Sequence, residues 1–226
     1  LGNAAMPRAD RSRCAGHSFL HAEQVARDTR DYAASVFLEE SKNIGPEHRR
    51  PWPEQSSMKR VRIAVLLSGS GTSLENLFEQ IDAGLPAEVV CVLSSKKSAF
   101  GLERAARREV PAFAVPRGDF ENVRAFNDAM HTILDRFDPD LVCLLGFLSP
   151  FELRERFEGR ALNVHPALSP AFSGAGFYGR HVHEAVLAAG VKITGATVHF
   201  VSDAYDEGPI LLQEAVPVED DDTADS

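Results

Sequence analysis

The sequence predicts an α/β fold: an open, mostly parallel sheet with helices on both faces. Two observations carry this prediction. Runs such as 62–67 and 140–145 are almost uniformly apolar, which is typical of strands buried on both faces of a parallel sheet. These runs alternate with segments whose apolar residues recur at helical spacing, and such alternation is the pattern of a parallel α/β sheet. The expected arrangement is Rossmann-like.

Each predicted strand is a short apolar run bounded by turn residues. Strands are expected over 62–67, 87–93, 112–115, 140–145, the segment that ends at His165, 192–201 and 210–216. Apolar runs of about four to eight residues between glycine, proline and polar clusters favour strands over helices. The sequence therefore predicts seven strands without an internal repeat.

The predicted helices lie between these strands. They are expected from the Gly-rich turn after the first strand to near Ala83, over 100–109, from Asp119 to near Phe137, shortly after Pro150, and over 178–189. Gly84 closes the first helix, because glycine readily adopts the left-handed conformation that ends a helix. Asp119 is expected to cap the third, since its carboxylate accepts hydrogen bonds from the first helical amides.

Composition excludes several classes of protein. The chain has 226 residues and a net charge of -9, which suits one large α/β domain and disfavours a general nucleic-acid surface. No apolar run approaches the ~18 residues of a membrane-spanning helix. The three cysteines form neither a zinc pattern nor a disulfide framework, so we expect a reducing compartment and a cytoplasmic protein without a metal.

The first 57 residues differ from the rest of the chain. They mix charges of both signs, and their one clear pattern is a possible amphipathic helix over 22–38, followed by prolines. We expect residues 1–57 to be an N-terminal extension, poorly ordered or partly helical, with a cloning remnant or a misread start as the alternatives. The catalytic domain is expected over 58–226, beginning at Met58.

A Gly-rich turn follows the first strand. Gly69 and Gly71 allow the backbone to turn sharply and let amides approach an anion. Thr72 and Ser73 add hydroxyls at a helix N-terminus. No lysine follows the last glycine, so the turn is not a Walker A loop, and Leu74 occupies the third glycine position of a dinucleotide fingerprint. The turn therefore predicts a cradle for a mononucleotide or sugar phosphate, with a tight, capped turn as the alternative.

A strand ends in Asn163 and His165, and Pro166 stops its hydrogen-bond ladder. Residues two apart on a strand point to the same side, so the amide and the imidazole share a face. An amide that donates to a developing oxyanion, beside a ring that moves a proton, suits acyl transfer. Asp206, in a later turn, is expected to orient the ring of His165, with an Asx turn as the alternative. No serine or cysteine is placed as a nucleophile, which favours direct transfer between two bound substrates.

Three further histidines are candidate site residues. His181 and His183 lie two apart at a helix start, where such residues do not face together, and no third ligand is evident, so no metal is predicted. His199 lies in a predicted strand. It either faces the site or is packed in the core.

Four segments of the chain match one known family. They are VLLSGSGTSLENL at 65–77, AFGLERA at 99–105, GRALNVHPALSPAF at 159–172 and GATVHFVSDAYDEGPILLQ at 195–213. Together they cover nearly all of the chain after Met58. They resemble the phosphoribosylglycinamide formyltransferases (glycinamide ribonucleotide transformylases), folate-dependent enzymes of purine biosynthesis with a formyltransferase fold.

The resemblance implies a reaction and roles for single residues. The reaction is formyl transfer from 10-formyltetrahydrofolate to the amine of glycinamide ribonucleotide. The family's catalytic Asn, His and Asp match Asn163, His165 and Asp206, and the substrate phosphate is expected at Gly69, Gly71, Thr72 and Ser73. The folate and formyl pocket is expected at Gly146, Phe147, Leu148, Ser202 and Tyr205, with Pro166 on the nucleotide side. The expected partners are these small molecules, with a monomer or homodimer and neither nucleic acid nor membrane.

The chain also departs from the family pattern. Many members have Met-Arg-Ile between the Gly-Phe and the Leu-Ser-Pro of the segment that here spans 146–150, and Asn where this chain has Ser73. The loop 172–180 is longer than the commonest form. The family continues with a helix that contacts the substrate ribose, so the 226-residue chain is expected to lack this C-terminal helix and to have weak or absent activity.

The nearest alternative is a 10-formyltetrahydrofolate hydrolase, which uses the same Asn, His and Asp with water as the acceptor. The Gly-rich turn disfavours it, because a hydrolase needs no ribonucleotide phosphate site. A methionyl-tRNA formyltransferase is disfavoured by the acidic charge. The alternative from another class is a non-catalytic nucleotide-binding module in which Asn163 and His165 are structural.

Overall fold

A computed structural model describes residues 60–174, 176–202, 206 and 208–226. The predictions for residues 1–57, including the possible helix over 22–38, lie outside the described residues and stay predictions. Within the described part, no helix is both long and apolar enough to span a membrane.

The described strands form one seven-stranded sheet, which confirms the predicted α/β class. They are β1 (Val61–Leu67), β2 (Ala87–Ser94), β3 (Ala112–Ala114), β4 (Leu141–Leu144), β5 (Ala161–His165), β6 (Ile193–Phe200) and β7 (Ile210–Pro217). Their order in the sheet is β3-β2-β1-β4-β5-β6-β7. The first five are mutually parallel, whereas β6 and β7 are antiparallel to their neighbours. The sheet is therefore mostly parallel, as its apolar runs predict.

Four α-helices connect these strands in the described residues: α1 (Thr72–Asp82), α2 (Phe100–Arg107), α3 (Val123–Phe137) and α4 (Arg180–Ala189). The chain steps from β1 outward to β3 through α1 and α2, then crosses back through α3 to β4. Because crossovers between parallel strands are right-handed, α3 lies on the opposite face from α1 and α2. Side chains that alternate along β1 follow this division: Ala64 and Leu66 pack with α3, and Leu67 contacts α2 at Gly101.

The strand order reverses at β1 and β4: β2 and β3 lie on one side of this pair, and β5 to β7 lie on the other. In open α/β sheets the crevice lies outside the carboxyl ends of the strands at such a switch point. The Gly-rich turn after β1, the segment after β4 and the end of β5 all lie at this edge. The topology thus brings the sequence-predicted site segments to one edge of the sheet.

Two local predictions were wrong. Asp119 does not cap α3; it belongs to a 3-10 turn, Arg117–Asp119, and its carboxylate pairs with Lys97 at 3.0 Å. The cap is Asn122, whose side-chain oxygen accepts from the Ala125 amide at 2.8 Å. The helix expected after Pro150 is only one 3-10 turn, at Glu155–Phe157.

Buried polar side chains of α3 hold the segment that follows Pro150. Asn127 donates to the Pro150 carbonyl at 3.3 Å and accepts from the Glu152 amide at 2.9 Å. The ring of His131 lies 2.9 Å from the Glu152 carbonyl and stacks on Phe151. Side chains of α3 thus pair with backbone polar groups of this segment, which lacks helical hydrogen bonds of its own at these positions.

This contact predicts an acid-dependent loss of stability that depends on His131. Burial lowers the pKa of His131 below its ordinary value of 6.5. It outweighs the hydrogen bond with the Glu152 carbonyl, which acts to raise the pKa. A histidine whose pKa is lowered by folding contributes fully to the free energy of unfolding at pH values above its pKa in the unfolded chain, about 6.5. This contribution is lost as the pH falls below that value, because the unfolded chain binds the proton more readily. His131→Gln keeps an N–H donor but does not titrate.

Urea unfolding at about pH 8 and about pH 5.5 measures this effect. The free energy of unfolding should fall further on acidification in the wild type than in His131→Gln. Parallel pH dependences in the two proteins would contradict the assignment.

Candidate active site

The end of β5 carries the two polar side chains that the sequence singled out. β5 lies between β4, with Asn163 beside Leu144, and β6, with Asn163 opposite His199 and His165 opposite Thr197. His165 is 3% exposed, whereas the intervening Val164 is exposed on the other face. Alternation along the strand therefore directs Asn163 and His165 to the same side.

Asp206 lies between these two side chains. Its Oδ1 accepts from Asn163 Nδ2 at 3.0 Å, and its Oδ2 lies 3.6 Å from His165 Nδ1. The carboxylate is 6% exposed and also accepts from the Gly174 amide at 3.4 Å. The structure thus brings Asn163, His165 and Asp206 into one cluster.

His199 is the fourth member of the cluster, and the sequence left its orientation open. Its Nε2 lies 3.0 Å from Asn163 Nδ2 and 3.5 Å from Asp206 Oδ1, and its Nδ1 lies 2.9 Å from the Phe200 carbonyl. The signal that could have identified it is the antiparallel register, which pairs His199 with Asn163. Sequence alone does not give that register.

The electrostatics of the cluster favour an ionised carboxylate. Burial disfavours charge on Asp206, but the hydrogen bond with His199, the nearby ring of His165 and the Gly174 amide outweigh it and lower the pKa of Asp206 below its ordinary value. Burial likewise opposes charge on His199, yet Asp206 and the Phe200 carbonyl raise the pKa of His199. A buried negative charge thus faces two imidazole rings.

Both ring nitrogens of His165 have defined neighbours. Nε2 lies 2.7 Å from the Phe172 carbonyl, and Nδ1 faces the Asp206 carboxylate. A carbonyl oxygen only accepts, so Nε2 is the protonated donor of that hydrogen bond. Neither nitrogen is directed at a serine or cysteine, so the ring is not placed to activate a side-chain nucleophile.

The cluster forms one wall of an open cleft of about 220 Å³. The opposite side is the segment after β4. The cleft is lined by residues 144, 146–152, 163–166, 177–179, 199, 201–202 and 206. Leu148 is 39% exposed, whereas Phe147 is buried and stacks on Phe126 of the core. Gly146, Phe147, Leu148, Ser202 and Pro166 all line this cleft, whereas Tyr205 lies outside the described residues.

The Gly-rich turn after β1 has its carbonyl groups tied to α2. The Gly69 carbonyl accepts from the Gly101 amide at 3.2 Å, and the Ser70 carbonyl accepts from Arg104 Nε at 2.9 Å. In a planar trans peptide the N–H points opposite to the C=O, so the amides that follow these two carbonyls point away from α2. With the first amides of α1, which have no partner within the helix, they form a surface suited to an anion.

Two glycines allow this approach of turn and helix. Gly71 has φ +71°, and a Cβ there would lie 2.6 Å from the Gly101 Cα. The acidic Glu75, in the first turn of α1, is neutralised by Arg104 at 2.7 Å. An anion at the turn would therefore not face an unpaired carboxylate. Thr72 and Ser73 are both exposed at the start of α1.

Ser68 joins the turn to the cleft. Its amide donates to the Gly146 carbonyl at 3.0 Å, and its hydroxyl accepts from the Leu148 amide at 2.8 Å. The same hydroxyl is 2.6 Å from that of Ser95. The turn does not line the cleft itself, but these bonds fix the two regions to each other.

No group of His, Cys, Asp and Glu suited to a metal ion occurs among the described residues. Cys91 and Cys143 form no disulfide, and burial raises the pKa of each thiol to about 12. Neither thiol is therefore a ready nucleophile. The polar chemistry of the site rests on the amide, the carboxylate and the imidazoles.

Comparison with known proteins gives a consistent result. Residues 61–226 match the model of a family described as formyl transferase. The chain is 34% identical over 211 residues to the chloroplastic phosphoribosylglycinamide formyltransferase of Vigna unguiculata, an alignment that covers 92% of this chain and 67% of that protein. It is 39% identical over 173 residues to the trifunctional purine biosynthetic protein adenosine-3 of Bos taurus, covering 74% of this chain. The chain spans only 16% of the length of that trifunctional relative.

A solved structure agrees with these sequence relatives. The phosphoribosylglycinamide formyltransferase of Brucella melitensis superimposes with a TM-score of 0.65 at 42% identity. The superposition covers 74% of this chain and 85% of that one. At this identity the likeness extends beyond the fold to the sequence.

Proposed function

The chain belongs to the formyl transferase family, within it to the phosphoribosylglycinamide formyltransferases, and we propose that it transfers a formyl group from 10-formyltetrahydrofolate to the amine of glycinamide ribonucleotide in purine biosynthesis. The observation that carries the proposal is the cluster of Asn163, His165 and Asp206 at the end of β5, in the wall of a cleft. Each assay uses the natural protein that contains this chain, with the residue numbers of this chain.

The proposed reaction is direct acyl transfer. The amine nitrogen of the ribonucleotide attacks the formyl carbon, a new C–N bond forms, and the bond from that carbon to N10 of the folate breaks. One proton leaves the amine and one is delivered to N10. No external oxidant, reductant or metal is required by this balance.

Each member of the cluster has a distinct proposed role. Asn163 donates an amide hydrogen to the formyl oxygen as it becomes an oxyanion, a contribution of about 3–4 kcal/mol in comparable sites. His165 stabilises the same charge or moves a proton through Nδ1. Asp206, ionised because its pKa is lowered, orients both side chains and places a negative charge beside the ring of His165. We propose His199 as a support that holds the Asp206 carboxylate from the β6 side.

We propose that the substrates bind on the two sides of this cluster. The cleft, with Gly146, Phe147, Leu148, Ser202 and Tyr205, would hold the pteridine and formyl groups. The turn with Gly69, Gly71, Thr72 and Ser73 would hold the substrate phosphate, and Pro166 would border the nucleotide. The support for the phosphate site is the direction of the turn amides and the absence of a free carboxylate there among the described residues.

The location and assembly of the protein are also proposals. A cytoplasmic enzyme, monomeric or homodimeric, fits the cysteine usage and the acidic charge. Its partners would be the two small-molecule substrates.

The proposed function is tested by following tetrahydrofolate release with and without glycinamide ribonucleotide. Release that requires the ribonucleotide supports formyl transfer to its amine. Release at the same rate without it would instead identify a hydrolase with water as the acceptor, and no release under either condition would favour a binding module.

The phosphate proposal predicts a selective effect of Gly71→Ala. The new Cβ would clash with the Gly101 Cα, and the positive φ adds about 1–3 kcal/mol of backbone strain. Displacement of the turn should raise KM for the ribonucleotide about 10–100-fold, with smaller changes in KM for the folate and in kcat. Steady-state kinetics with each substrate varied in turn measures this.

Gly118→Ala is the matched control, because a Cβ there meets nothing within 4 Å and its φ is not positive. The control should keep both KM values. A rise in KM for the folate alone in Gly71→Ala would contradict the placement of the phosphate at this turn.

A further inference from the structure

A buried hydroxyl lies under the loop that follows β5. Thr197 of β6 is fully buried, and its Oγ1 donates to the Ala167 carbonyl at 2.7 Å. The same oxygen accepts from the Ser169 amide at 2.9 Å and from Gln213 Nε2 at 3.0 Å. One donor and two lone pairs are the whole capacity of a hydroxyl, so Thr197 is saturated by this loop and by Gln213.

Gln213 completes the network from the neighbouring strand. It lies on β7 directly opposite Thr197, and its Nε2 also donates to the Ser169 carbonyl at 2.8 Å. Both amide hydrogens of Gln213 are therefore used, and both backbone polar groups of Ser169 are held. Two cross-strand neighbours thereby fix the backbone of one loop residue.

The loop held in this way ends at the carbonyl that binds His165. Three residues after Ser169, Phe172 has φ +52°, a conformation that non-glycine residues adopt only when their surroundings impose it. The Phe172 carbonyl is the 2.7 Å partner of His165 Nε2. A shift of the loop would therefore move the acceptor that determines which nitrogen of the ring carries the proton.

We propose that Thr197 and Gln213 are positioning residues that hold the Phe172 carbonyl and so set the tautomer of His165. With Nε2–H kept on Phe172, Nδ1 is the nitrogen that faces Asp206 and exchanges the proton during turnover. Neither residue touches the reacting atoms. This role rests on the proposed function of His165, but the tautomer of its ring does not depend on which substrate the protein uses.

Thr197→Val and Thr197→Ser form a matched pair for the test. Valine has nearly the shape of threonine without the hydroxyl, and serine keeps the hydroxyl. ¹H–¹⁵N correlation spectra of the imidazole nitrogens report the tautomer of His165, whose signals are identified by their loss in His165→Asn. The wild type and Thr197→Ser should show protonated Nε2, and Thr197→Val should show a mixture of tautomers.

The kinetic readout separates positioning from binding. Thr197→Val should lower kcat about 10–100-fold with less than about threefold change in either KM, because small displacements of a catalytic group cost rate more than affinity. Thr197→Ser should restore kcat to within about threefold of the wild type. Gln213→Met, on the exposed edge strand, removes both amide donors and should also lower kcat. Methionine has a size similar to that of glutamine, so the substitution should not create a cavity.

The outcomes are distinguishable. An unchanged tautomer in both Thr197→Val and Gln213→Met overturns the inference, whatever the activity, and if Thr197→Val does not fold, Gln213→Met alone decides. If the tautomer shifts in the variants but the wild type shows no formyl transfer, the positioning role is supported and the proposed function is rejected.

Discussion

Replacing His165 with asparagine should lower kcat for formyl transfer by about 10²–10⁴-fold, the usual contribution of general acid–base catalysis. Asparagine keeps a polar group near the position of Nδ1, but it is too short to reach the Phe172 carbonyl to which Nε2 donates. It has no imidazole nitrogen at the position of Nδ1, 3.6 Å from the Asp206 carboxylate, so the proposed proton transfer is lost. The effect should lie in kcat, because the substrate-binding surfaces are contributed mainly by other residues.

Single-turnover kinetics, together with equilibrium binding of 10-formyltetrahydrofolate and of glycinamide ribonucleotide, measure the two contributions separately. His183→Asn is the control, since this histidine lies on α4 and does not line the cleft. The control should retain wild-type kinetics. Unchanged turnover in His165→Asn, with the fold intact, would favour the alternative in which Asn163 and His165 are structural.

Asp206→Asn should also reduce kcat by about 10²–10⁴-fold. The carboxylate accepts from Asn163 and Gly174 and lies near two imidazoles, with 6% of its side chain exposed. An amide of the same shape places an NH2 group where one carboxylate oxygen accepts, so at least one neighbouring donor loses its partner. It also removes the negative charge that faces both imidazole rings.

The pH dependence gives a second readout of Asp206. Its pKa is lowered from an ordinary value of 3.8, so the carboxylate stays ionised throughout the neutral range. The stability gained from its ionisation is present above the unfolded pKa and is lost as pH falls through the lower folded pKa. Activity of the wild type should therefore not decline through protonation of Asp206 until pH is below about 4.

Asp119→Asn is the control for the loss of a carboxylate, because Asp119 pairs with exposed Lys97 on the surface. Its kcat should match that of the wild type. A kcat for Asp206→Asn within about threefold of the wild type would show that the carboxylate is an Asx-type turn residue and not part of the reacting cluster.

The architecture was predictable because its cause is local. The strand at 61–67 is buried from Ile63 to Leu67, and the buried part of a parallel strand is apolar at every position. Alternating helices then require a parallel sheet with crossovers. The cap of α3 was not predictable in the same way: Asp119 and Asn122 are both good capping residues, and only the 3-10 turn at 117–119 decides between them.

The site was predictable only in part, for a physical reason. Asn163 and His165 share a face by strand periodicity, which a sequence displays directly. The contact with Asp206 joins residues 43 apart, and the partnership of His199 depends on the antiparallel register of β5 and β6. The link from Gln213 through Thr197 to Phe172 spans three segments, so no local pattern could announce it.

The fate of the formyl carbon is the most direct test of the central claim. A single turnover with 10-formyltetrahydrofolate carrying ¹³C in its formyl group, in the presence of glycinamide ribonucleotide, is followed by ¹³C NMR. The account predicts that the label appears in the amide of formylglycinamide ribonucleotide. Label recovered as formate, at a rate that does not depend on the ribonucleotide, would contradict it.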